Sequence, residues 1–341
     1  MTQAITICAP NWKIQESYGR IANELRDAFT RRGIHVNTLG DFAPEDKFEV
    51  ALGGIFLAYP TNFGAFGLLP NLGSRICVTM FESDTLPEGW VESLNKCRAV
   101  IVPSRWCAET FKLNGVTAPI EVVPLGVSDV YTYQPRALSV PDDYVHNFVA
   151  IGFLNARKGF SELCAAFYAA FQDDPHYKLT FKNRKDDLAL LTAFKAENMT
   201  LIRSDFSDAE MNEFYGKFDY MVFPSHGEGF GLPPREFAAT GGIAIATNYA
   251  GLADDIEDWG VPIPVFELEE GWTGTAVHAG VGQWAKIDPE VLAETLRHAV
   301  SSRHDLISIA EPTAQKVREL YNWDTFAAKV LSVWEGVHGN D

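Results

Sequence analysis

The amino-acid sequence predicts an α/β protein with two doubly wound parallel-sheet domains. Short apolar runs rich in strand formers alternate with helical segments, which is the pattern of parallel sheets covered by helices. A length of 341 residues suits two domains of ordinary size, each able to bury a core. One glycine-rich turn, residues 223–236, joins an apolar strand to a helix and so builds a ligand crevice above such a sheet.

The first domain opens with a strand at 4–8, and a helix runs from the 17–19 loop to about Arg32, where Gly33 ends it. Its further strands are short and apolar, and we predict them near Val36, near Val50, at 76–80 and at 100–103.

The second domain follows a predicted linker at 128–143, where Tyr, Pro and Asp replace the apolar periodicity. We place the domain boundary between residues 135 and 136. The domain begins with a strand at 148–152 and a helix at 161–171. Four more strands complete its parallel set: 179–181, 200–203, 220–223 and 243–246.

The turn at 223–236 is the most informative segment of the chain. Its glycines let the backbone turn tightly and approach a ligand closely. Pro233 and Pro234 fit the first turn of the helix that follows. The amino-terminal end of that helix is a natural site for a phosphate-bearing ligand.

Two carboxylates, Glu228 and Glu236, lie eight positions apart in this turn. They would repel a diphosphate, but they can accept hydrogen bonds from sugar hydroxyls. A nucleotide sugar carries a ribose and a hexose on either side of its diphosphate, which would give each carboxylate one sugar to bind. The alternative is an ordinary glycine-rich turn in which Glu236 only complements the helix dipole.

Composition narrows the class of protein. Hydrophobic residues at 47% and charged residues at 21% are typical of soluble globular proteins, and no apolar run is long enough for a transmembrane segment. The net charge of −17 disfavours nucleic acid and anionic membranes as partners. Five scattered cysteines without C-x-x-C spacing, and a start without a signal peptide, predict a cytoplasmic protein with reduced thiols and no metal site.

The 223–236 turn resembles the E-x7-E signature of retaining glycosyltransferases of the GT-B fold, family four. Three further stretches are similar to that family. Residues 99–106 with 122–127 look like the end of its first domain, residues 151–159 like the opening strand and phosphate loop of its second, and residues 321–327 like its closing helix. The resemblance covers most of the chain and implies two Rossmann-like domains that face each other across a cleft.

This resemblance implies transfer of a sugar from a nucleotide-sugar donor to an acceptor hydroxyl with retention of configuration. Residues 1–135, joined by the closing helix at 324–341, would be the acceptor-side domain, and residues 136–323 would bind the donor. The acceptor would be a saccharide, a lipid-linked glycan or a small molecule. Neither a metal ion nor another cofactor is expected.

The residues that the resemblance assigns to the site fall into three groups. Catalytic roles go to Glu82, Glu228 and Lys158. The acceptor-side candidates are Tyr18, Gly19, Tyr59 and Asn62. The donor-binding residues would come from two stretches of the chain: Arg157, Lys158, Glu228, Gly229, Phe230, Gly231, Leu232 and Glu236.

Two departures from the family pattern bear on these roles. Phe153 stands where many members have a diphosphate-binding arginine, so Arg157, or Lys182 and Arg184 after the next strand, would supply the charge. Glu82 stands where members commonly have a histidine. It would accept a proton from the acceptor or bind it, or it is only an N-cap or a surface glutamate.

Two further points stay open in the sequence. His226, just before the signature, is either a loop residue bonded to backbone or a catalytic base. A glycine-rich stretch from Gly53 to Gly73 holds Phe56 and Tyr59, and its aromatics either shape the acceptor pocket or pack between helix and sheet. It contains no G-x-G-x-x-G, the fingerprint of nicotinamide dehydrogenases.

Three other functions remain compatible with the sequence. A nucleotide-sugar epimerase can share this fold and would release free epimer without an acceptor. A non-catalytic binding protein would hold the donor without turnover. A nucleic-acid-modifying transferase of the kind that bacteriophages encode is disfavoured by the net charge of −17.

Overall fold

The computed structural model describes residues 4–10, 12–13, 16–40, 54–60, 75–152, 155–183, 197–272 and 279–338. The chain divides into two compact units. Unit 1 comprises Met1–Phe81, Thr85–Gly126 and Tyr321–Asp341, and unit 2 comprises Glu82–Asp84 and Val127–Leu320. Residue 135, the predicted end of the first domain, therefore lies within unit 2, and the segment that returns to unit 1 starts at Tyr321.

Unit 1 is built on a parallel sheet with the strand order β2-β1-β3-β4-β5-β6. Its strands are short and mostly apolar: β1 Ile5–Cys8, β2 Val36–Leu39, β3 Ile55–Leu57, β4 Ile76–Val78, β5 Ala99–Val102 and β6 Ile120–Val122. Its described helices are α1 Ser17–Arg31, α2 Trp90–Leu94, α3 Arg105–Leu113 and a C-terminal helix, Trp323–His338. The C-terminal helix packs against α1, so the end of the chain belongs to the same layer as its beginning.

Strand β3 differs from the sequence prediction, which treated its residues as part of a glycine-rich loop. Three apolar residues between glycines are too few for the alternation of a strand to show in sequence. Phe56, in the middle of β3, is buried in the sheet and belongs to the core. The strand predicted near Val50 lies outside the described residues.

Unit 2 has a second parallel sheet, with the order β12-β11-β10-β7-β8-β9, and an antiparallel hairpin. The sheet strands are β7 His146–Ile151, β8 Tyr177–Asn183, β9 Met199–Arg203, β10 Tyr220–Phe223, β11 Ile243–Thr247 and β12 Gly260–Ile263. The hairpin strands are β13 Leu268–Trp272 and β14 Ala279–Ala285. The helices are α4 Phe160–Phe171, α5 Asp208–Tyr215, α6 Leu232–Ala239, α7 Pro289–Ser301, α8 Arg303–Ser308 and α9 Ala310–Leu320.

Both sheets confirm the predicted α/β fold class, and the strand order reverses once in each. The reversal falls between β1 and β3 in unit 1 and between β7 and β10 in unit 2. Loops that leave the carboxyl ends of the two strands at such a point diverge and open a crevice, where open α/β sheets bind their ligands. In unit 2 these are the loops at 152–159 and 224–231. Among the described residues, no helix has both the length and the apolar character needed to cross a membrane.

The predicted linker at 128–143 is bound to unit 2 by a half-buried arginine. Arg136 donates to the carbonyl oxygens of Phe218 at 3.0 Å and of Thr240 at 2.6 Å. Its guanidinium lies 5.3 Å from the ring centre of Phe237, and burial lowers the pKa of Arg136 to about 10. This part of the linker is therefore an ordered piece of unit 2.

A buried ion pair fixes the start of β10. Asp219 and Arg303 are each 4% exposed, and their charged atoms lie 3.1 Å apart. The carboxylate of Asp219 also accepts hydrogen bonds from the Tyr144 hydroxyl at 2.6 Å and from the Asn147 backbone N–H at 3.0 Å. Because Asp219 immediately precedes β10, this cluster anchors the strand whose other end carries the loop at 224–231.

We expect Asp219→Ala to lower the free energy of unfolding by ~3–5 kcal/mol, because it leaves the buried Arg303 charge without its partner. Lys316→Ala is the matched control in the same unit, since Lys316 and Asp258 form an ion pair of 2.8 Å whose side chains are about half exposed. In Lys316→Ala, the loss in the free energy of unfolding should stay below ~1 kcal/mol. Urea denaturation measures both, and equal losses would contradict a structural role for the Asp219 cluster.

Candidate functional site

The site is built where the loops after β7 and β10 meet in unit 2. The first loop ends in a 3-10 turn, Ala156–Lys158, followed by Gly159 with a φ of +64°. A Cβ at Gly159 would overlap the carbonyl oxygen of Pro224, so glycine is required for the two loops to pack together. This close packing brings the basic residues of one loop to the acidic residue of the other.

Glu228 is the centre of the site. Its Oε1 atom lies 2.7 Å from Nη1 of Arg157, accepts a hydrogen bond from the Lys158 ammonium, and accepts another from the Ser225 hydroxyl at 2.8 Å. Arg157 also donates to the carbonyl oxygen of Gly227 at 2.5 Å. The predicted donor residues Arg157, Lys158 and Glu228 are thus in direct contact.

Electrostatics keep Glu228 ionised. Glu228 is only 8% exposed, and burial alone would raise the pKa of its carboxyl. The positive charges of Arg157 and Lys158 outweigh this effect and lower the pKa of Glu228 to about 2. Burial lowers the pKa of Lys158, although Glu228 opposes that shift. The Lys158 ammonium also lies 4.8 Å from the ring centre of Phe223.

Glu82 lies beside this cluster. Its segment, Glu82–Asp84, belongs to unit 2 although the residues around it in sequence belong to unit 1. Glu82 is buried, and its Oε1 lies 3.8 Å from Nη2 of Arg157. A Cβ at Gly227 would overlap the Glu82 carbonyl oxygen, which explains one glycine of the signature. The side chain is therefore placed near the predicted phosphate-binding residues and not on the surface.

The second signature carboxylate, Glu236, lies within α6. Its Oε2 accepts a hydrogen bond from the Tyr215 hydroxyl at 3.3 Å, and both residues are buried. Helix α6 starts after Gly231, whose φ is +82°. Pro233 and Pro234 carry no N–H, so the first turn offers fewer backbone donors to an anion than a helix terminus normally does.

Sequence reasoning missed Arg235, which holds the shape of the glycine loop. Its guanidinium is fully buried between the rings of Phe230 and Trp259, at 4.0 and 4.7 Å from their centres. It donates to the carbonyl oxygens of Phe230, Gly231 and Gly251. An arginine next to Glu236, in a short helix whose other residues are apolar, is the only signal that the sequence offers for this role.

Asp255 supplies the charge opposite Arg235. Its Oδ1 lies 2.5 Å from the Arg235 guanidinium and also accepts a hydrogen bond from the Trp259 indole at 2.8 Å. Asp254 and Asp255 are not part of an α-helix. They lie between two short 3-10 turns, Ala250–Leu252 and Ile256–Asp258, where the Asp255 side chain can reach Arg235.

The hairpin β13–β14, also missed, packs against the signature loop through His226. The backbone of His226 donates to the Arg157 carbonyl at 2.7 Å and accepts from the Ala285 N–H at 2.8 Å. The ring Nδ1 lies 2.6 Å from the Ala285 carbonyl oxygen and 3.0 Å from Oε1 of Glu269. These contacts fit the interpretation of His226 as a loop residue bonded to backbone.

The same hairpin holds the Glu82–Asp84 segment. Gln283 in β14 donates its backbone N–H to Oδ1 of Asp84 at 2.7 Å, and its carbonyl accepts the Asp84 N–H at 3.3 Å. The hairpin therefore touches two parts of the site, the signature loop and the segment that carries Glu82.

Other predicted donor residues are placed as follows. Gly229 and Phe230 are buried in the loop, and Leu232 is half-buried at the first position of α6. Lys182 is buried at the end of β8, with its ammonium 5.2 Å from the ring centre of Phe206. Phe153 and Arg184 lie outside the described residues.

The acceptor-side candidates lie in unit 1, near its own strand reversal. The rings of Tyr18, in α1, and Tyr59, after β3, meet edge to face with centroids 5.1 Å apart. The Tyr18 hydroxyl lies 3.2 Å from the Thr79 hydroxyl, and the carbonyl of buried Gly19 accepts a hydrogen bond within α1. Tyr18, Gly19 and Tyr59 are thus in one region, whereas Asn62 lies outside the described residues.

Comparison with known proteins finds a family that matches part of the chain. The family model described as Glycosyl transferases group 1 matches residues 145–273, a stretch that holds both loops of the unit 2 site. Residues 145–273 of the chain are thus similar to the glycosyl transferases of group 1. No curated protein matches the chain.

Solved structures show that the chain has the GT-B fold. Sucrose-phosphate synthase from Thermosynechococcus elongatus matches with a TM-score of 0.75 at 15% identity, over 99% of this chain and 100% of its own. A glycosyltransferase from Rickettsia africae matches with a TM-score of 0.70 at 14% identity, over 99% of this chain and 100% of its own. The α,α-trehalose 6-phosphate synthase from Burkholderia multivorans matches with a TM-score of 0.67 at 9% identity, over 100% of both chains.

We expect Gly251→Ala to destabilise the signature loop. An added Cβ would overlap the carbonyl oxygens of Gly229 and Glu228, so the loop has to move, at a cost of ~1–3 kcal/mol in the free energy of unfolding. Gly40→Ala is the control, since the nearest atoms to its Cβ lie at 3.9 and 4.0 Å. Urea denaturation compares the two variants. An equally small change in both would show that the loop has room at Gly251.

Proposed function

We propose that this glycosyltransferase moves a sugar from a nucleotide-sugar donor to an acceptor hydroxyl with retention of configuration. The observation that carries the proposal is the contact of Arg157 and Lys158 with Glu228 at the strand reversal of unit 2. Two adjacent cations suit a diphosphate, and a carboxylate beside them suits the hydroxyls of the attached sugar. The four-motif resemblance in the sequence supports the retaining class.

The donor would extend across the two loops of unit 2. Arg157, Lys158 and the backbone around Gly231 would bind the diphosphate, Glu228 would accept hydrogen bonds from the transferred sugar, and Glu236 would accept them from the ribose. Gly229, Phe230 and Leu232 would line the loop between these groups. Glu236 lies in the first helical turn after Gly231, next to the loop that would bind the diphosphate.

The chemistry that this arrangement supports is stabilisation of the leaving diphosphate. When the bond between the anomeric carbon and the diphosphate oxygen breaks, negative charge develops on that oxygen, and Arg157 and Lys158 would stabilise it. The leaving oxygen would help to take the proton of the acceptor as that hydroxyl attacks from the same face. Because the two side chains supply the positive charge, we propose that the reaction needs no metal ion.

The acceptor is proposed to be a saccharide, a lipid-linked glycan or a small molecule, with Tyr18, Gly19, Tyr59 and Asn62 as acceptor-side residues. The net charge of −17 argues against nucleic acid as the acceptor. We further propose that the enzyme acts in the cytoplasm, where nucleotide sugars would be its co-substrates.

The first experiment is a thermal-shift screen with UDP-, GDP-, ADP- and TDP-sugars, followed by product analysis with candidate acceptors. One donor should raise the melting temperature, and NMR of the product should show the anomeric configuration of the donor. Release of a free epimer without an acceptor would point to an epimerase. An inverted product would contradict the retaining class.

We expect Glu236→Ala to weaken donor binding by roughly tenfold to hundredfold, because a charge-assisted hydrogen bond to a ribose hydroxyl is worth ~1.5–3 kcal/mol. Glu213→Ala is the control, since it removes an exposed carboxylate from α5 in the same unit. Calorimetric titration with the donor from the screen gives both dissociation constants. An unchanged constant in folded Glu236→Ala would exclude the ribose contact.

We expect Glu82→Gln to preserve fold and donor affinity while it lowers turnover. The amide keeps the shape but loses the charge and the basicity, and general-base catalysis contributes ~10²–10⁴-fold in rate. A loss of that size would indicate proton transfer, and a loss under about tenfold a positioning role, since an amide still binds a hydroxyl. Glu162→Gln serves as a control in sugar-transfer assays at saturating donor. Wild-type turnover in Glu82→Gln would leave Glu82 with a structural role only.

A further inference from the structure

The charges around Glu228 balance one another before any ligand is bound. Two cations, Arg157 and Lys158, face two carboxylates, Glu228 and Glu82. All four side chains are at most 13% exposed, so water screens them poorly. With the two cations and two anions ionised, the cluster has no net charge.

Both cations contact the same carboxylate oxygen, Oε1 of Glu228. Lys158 and the Ser225 hydroxyl donate to Oε1 of Glu228, and Nη1 of Arg157 lies 2.7 Å from the same oxygen. Two cations and a hydroxyl around a single oxygen form an arrangement that also suits a phosphate oxygen. Glu228 therefore occupies the position that a diphosphate oxygen would need.

A diphosphate adds about two negative charges to this buried neutral cluster, which is costly unless one carboxylate gives up its partners. Ser225 and Lys158 cannot donate full hydrogen bonds to Glu228 and to a phosphate oxygen at the same time. The carboxylate of Glu228 then needs new hydrogen-bond donors, because an ionised carboxylate without partners is costly in a buried site. The hydroxyls of a sugar attached to the diphosphate are such donors.

We propose that Glu228 is an internal substitute for the donor diphosphate and that it discriminates the nucleotide sugar from the nucleoside diphosphate product. The inference rests on the proposed function and deepens it. The nucleotide sugar supplies both the diphosphate for Arg157 and Lys158 and the hydroxyls for Glu228. The product supplies only the diphosphate, so Glu228 competes with it for the two cations.

This competition gives the enzyme a route for product release. After transfer, the sugar leaves with the acceptor, and Glu228 loses the hydroxyls that held it away from Arg157 and Lys158. Its return to the two cations weakens their hold on the nucleoside diphosphate. No covalent bond to Glu228 is formed or broken in this cycle.

The test is calorimetric titration of wild type and Glu228→Gln with three probes: inorganic pyrophosphate, the nucleoside diphosphate of the preferred donor, and that nucleotide sugar. The amide keeps the shape of Glu228 but removes the charge that competes for Arg157 and Lys158. We expect pyrophosphate and the nucleoside diphosphate to bind roughly tenfold tighter or more, the size of one charge-assisted hydrogen bond. The nucleotide sugar should gain less, so its preference over the product should shrink.

Two further variants separate this effect from others. Glu162→Gln removes a carboxylate from α4 that lies 3.9 Å from His226, and it should leave pyrophosphate binding unchanged. Glu228→Asp keeps the charge but shortens the side chain by one methylene, which draws the carboxylate away from Arg157 and Lys158, so it should tighten pyrophosphate binding by a smaller factor. Glu228→Asp also tests the inference if Glu228→Gln does not fold.

The outcomes distinguish this inference from the proposed function. Pyrophosphate binding that is equal or weaker in Glu228→Gln, or equally tightened in Glu162→Gln, would overturn the role of Glu228 as a substitute anion. If pyrophosphate binding tightens in Glu228→Gln but neither protein binds any nucleotide sugar, the role of Glu228 as a substitute anion stands. The proposed donor and the discrimination between donor and product then fall.

Discussion

The buried guanidinium of Arg235 is the interaction on which the candidate donor site depends. It donates to carbonyl oxygens on both sides of a gap, at Phe230 and Gly231 in the signature loop and at Gly251 after β11. Asp255 balances its charge, so the cation is stable without water. Glycine adopts positive and negative φ about equally, so a glycine-rich loop without the hydrogen bonds of Arg235 would have many accessible backbone conformations. An arginine with no exposed surface therefore fixes the part of the loop that follows Glu228.

The site combines local positive charge with an acidic chain. A net charge of −17 gives no general attraction for an anionic ligand, so Arg157 and Lys158 have to supply that attraction at short range. Burial disfavours the charged forms of both partners, and Glu228, Arg157 and Lys158 compensate one another. The same physical requirement, that buried charges be paired, explains the Asp219–Arg303 cluster below the loop and the Arg235–Asp255 pair beside it.

The features predicted from the sequence have local signals, and those that were missed depend on distant contacts. Strands β7 and β10 and the turn at 223–236 follow from apolar runs, glycines and prolines within a few residues. Arg136 instead bonds to Thr240, and Asp84 to Gln283, across 104 and 199 positions that no local pattern connects. The hairpin β13–β14 has an irregular register between Glu270 and Trp272, so the alternation expected of a strand is absent. Glu82 was singled out by position, but its membership of unit 2 had no signal in sequence.

The three residues Glu82–Asp84 have a consequence for how this enzyme changes over evolution and under engineering. Unit 2 is encoded in two separate pieces, and the smaller piece lies inside the sequence of unit 1. A recombinant that exchanges residues 127–320 with those of a relative would leave this tripeptide behind, against a foreign Gly227 and a foreign Gln283. The tripeptide and the hairpin should therefore vary together among relatives, and a transplanted unit should carry both.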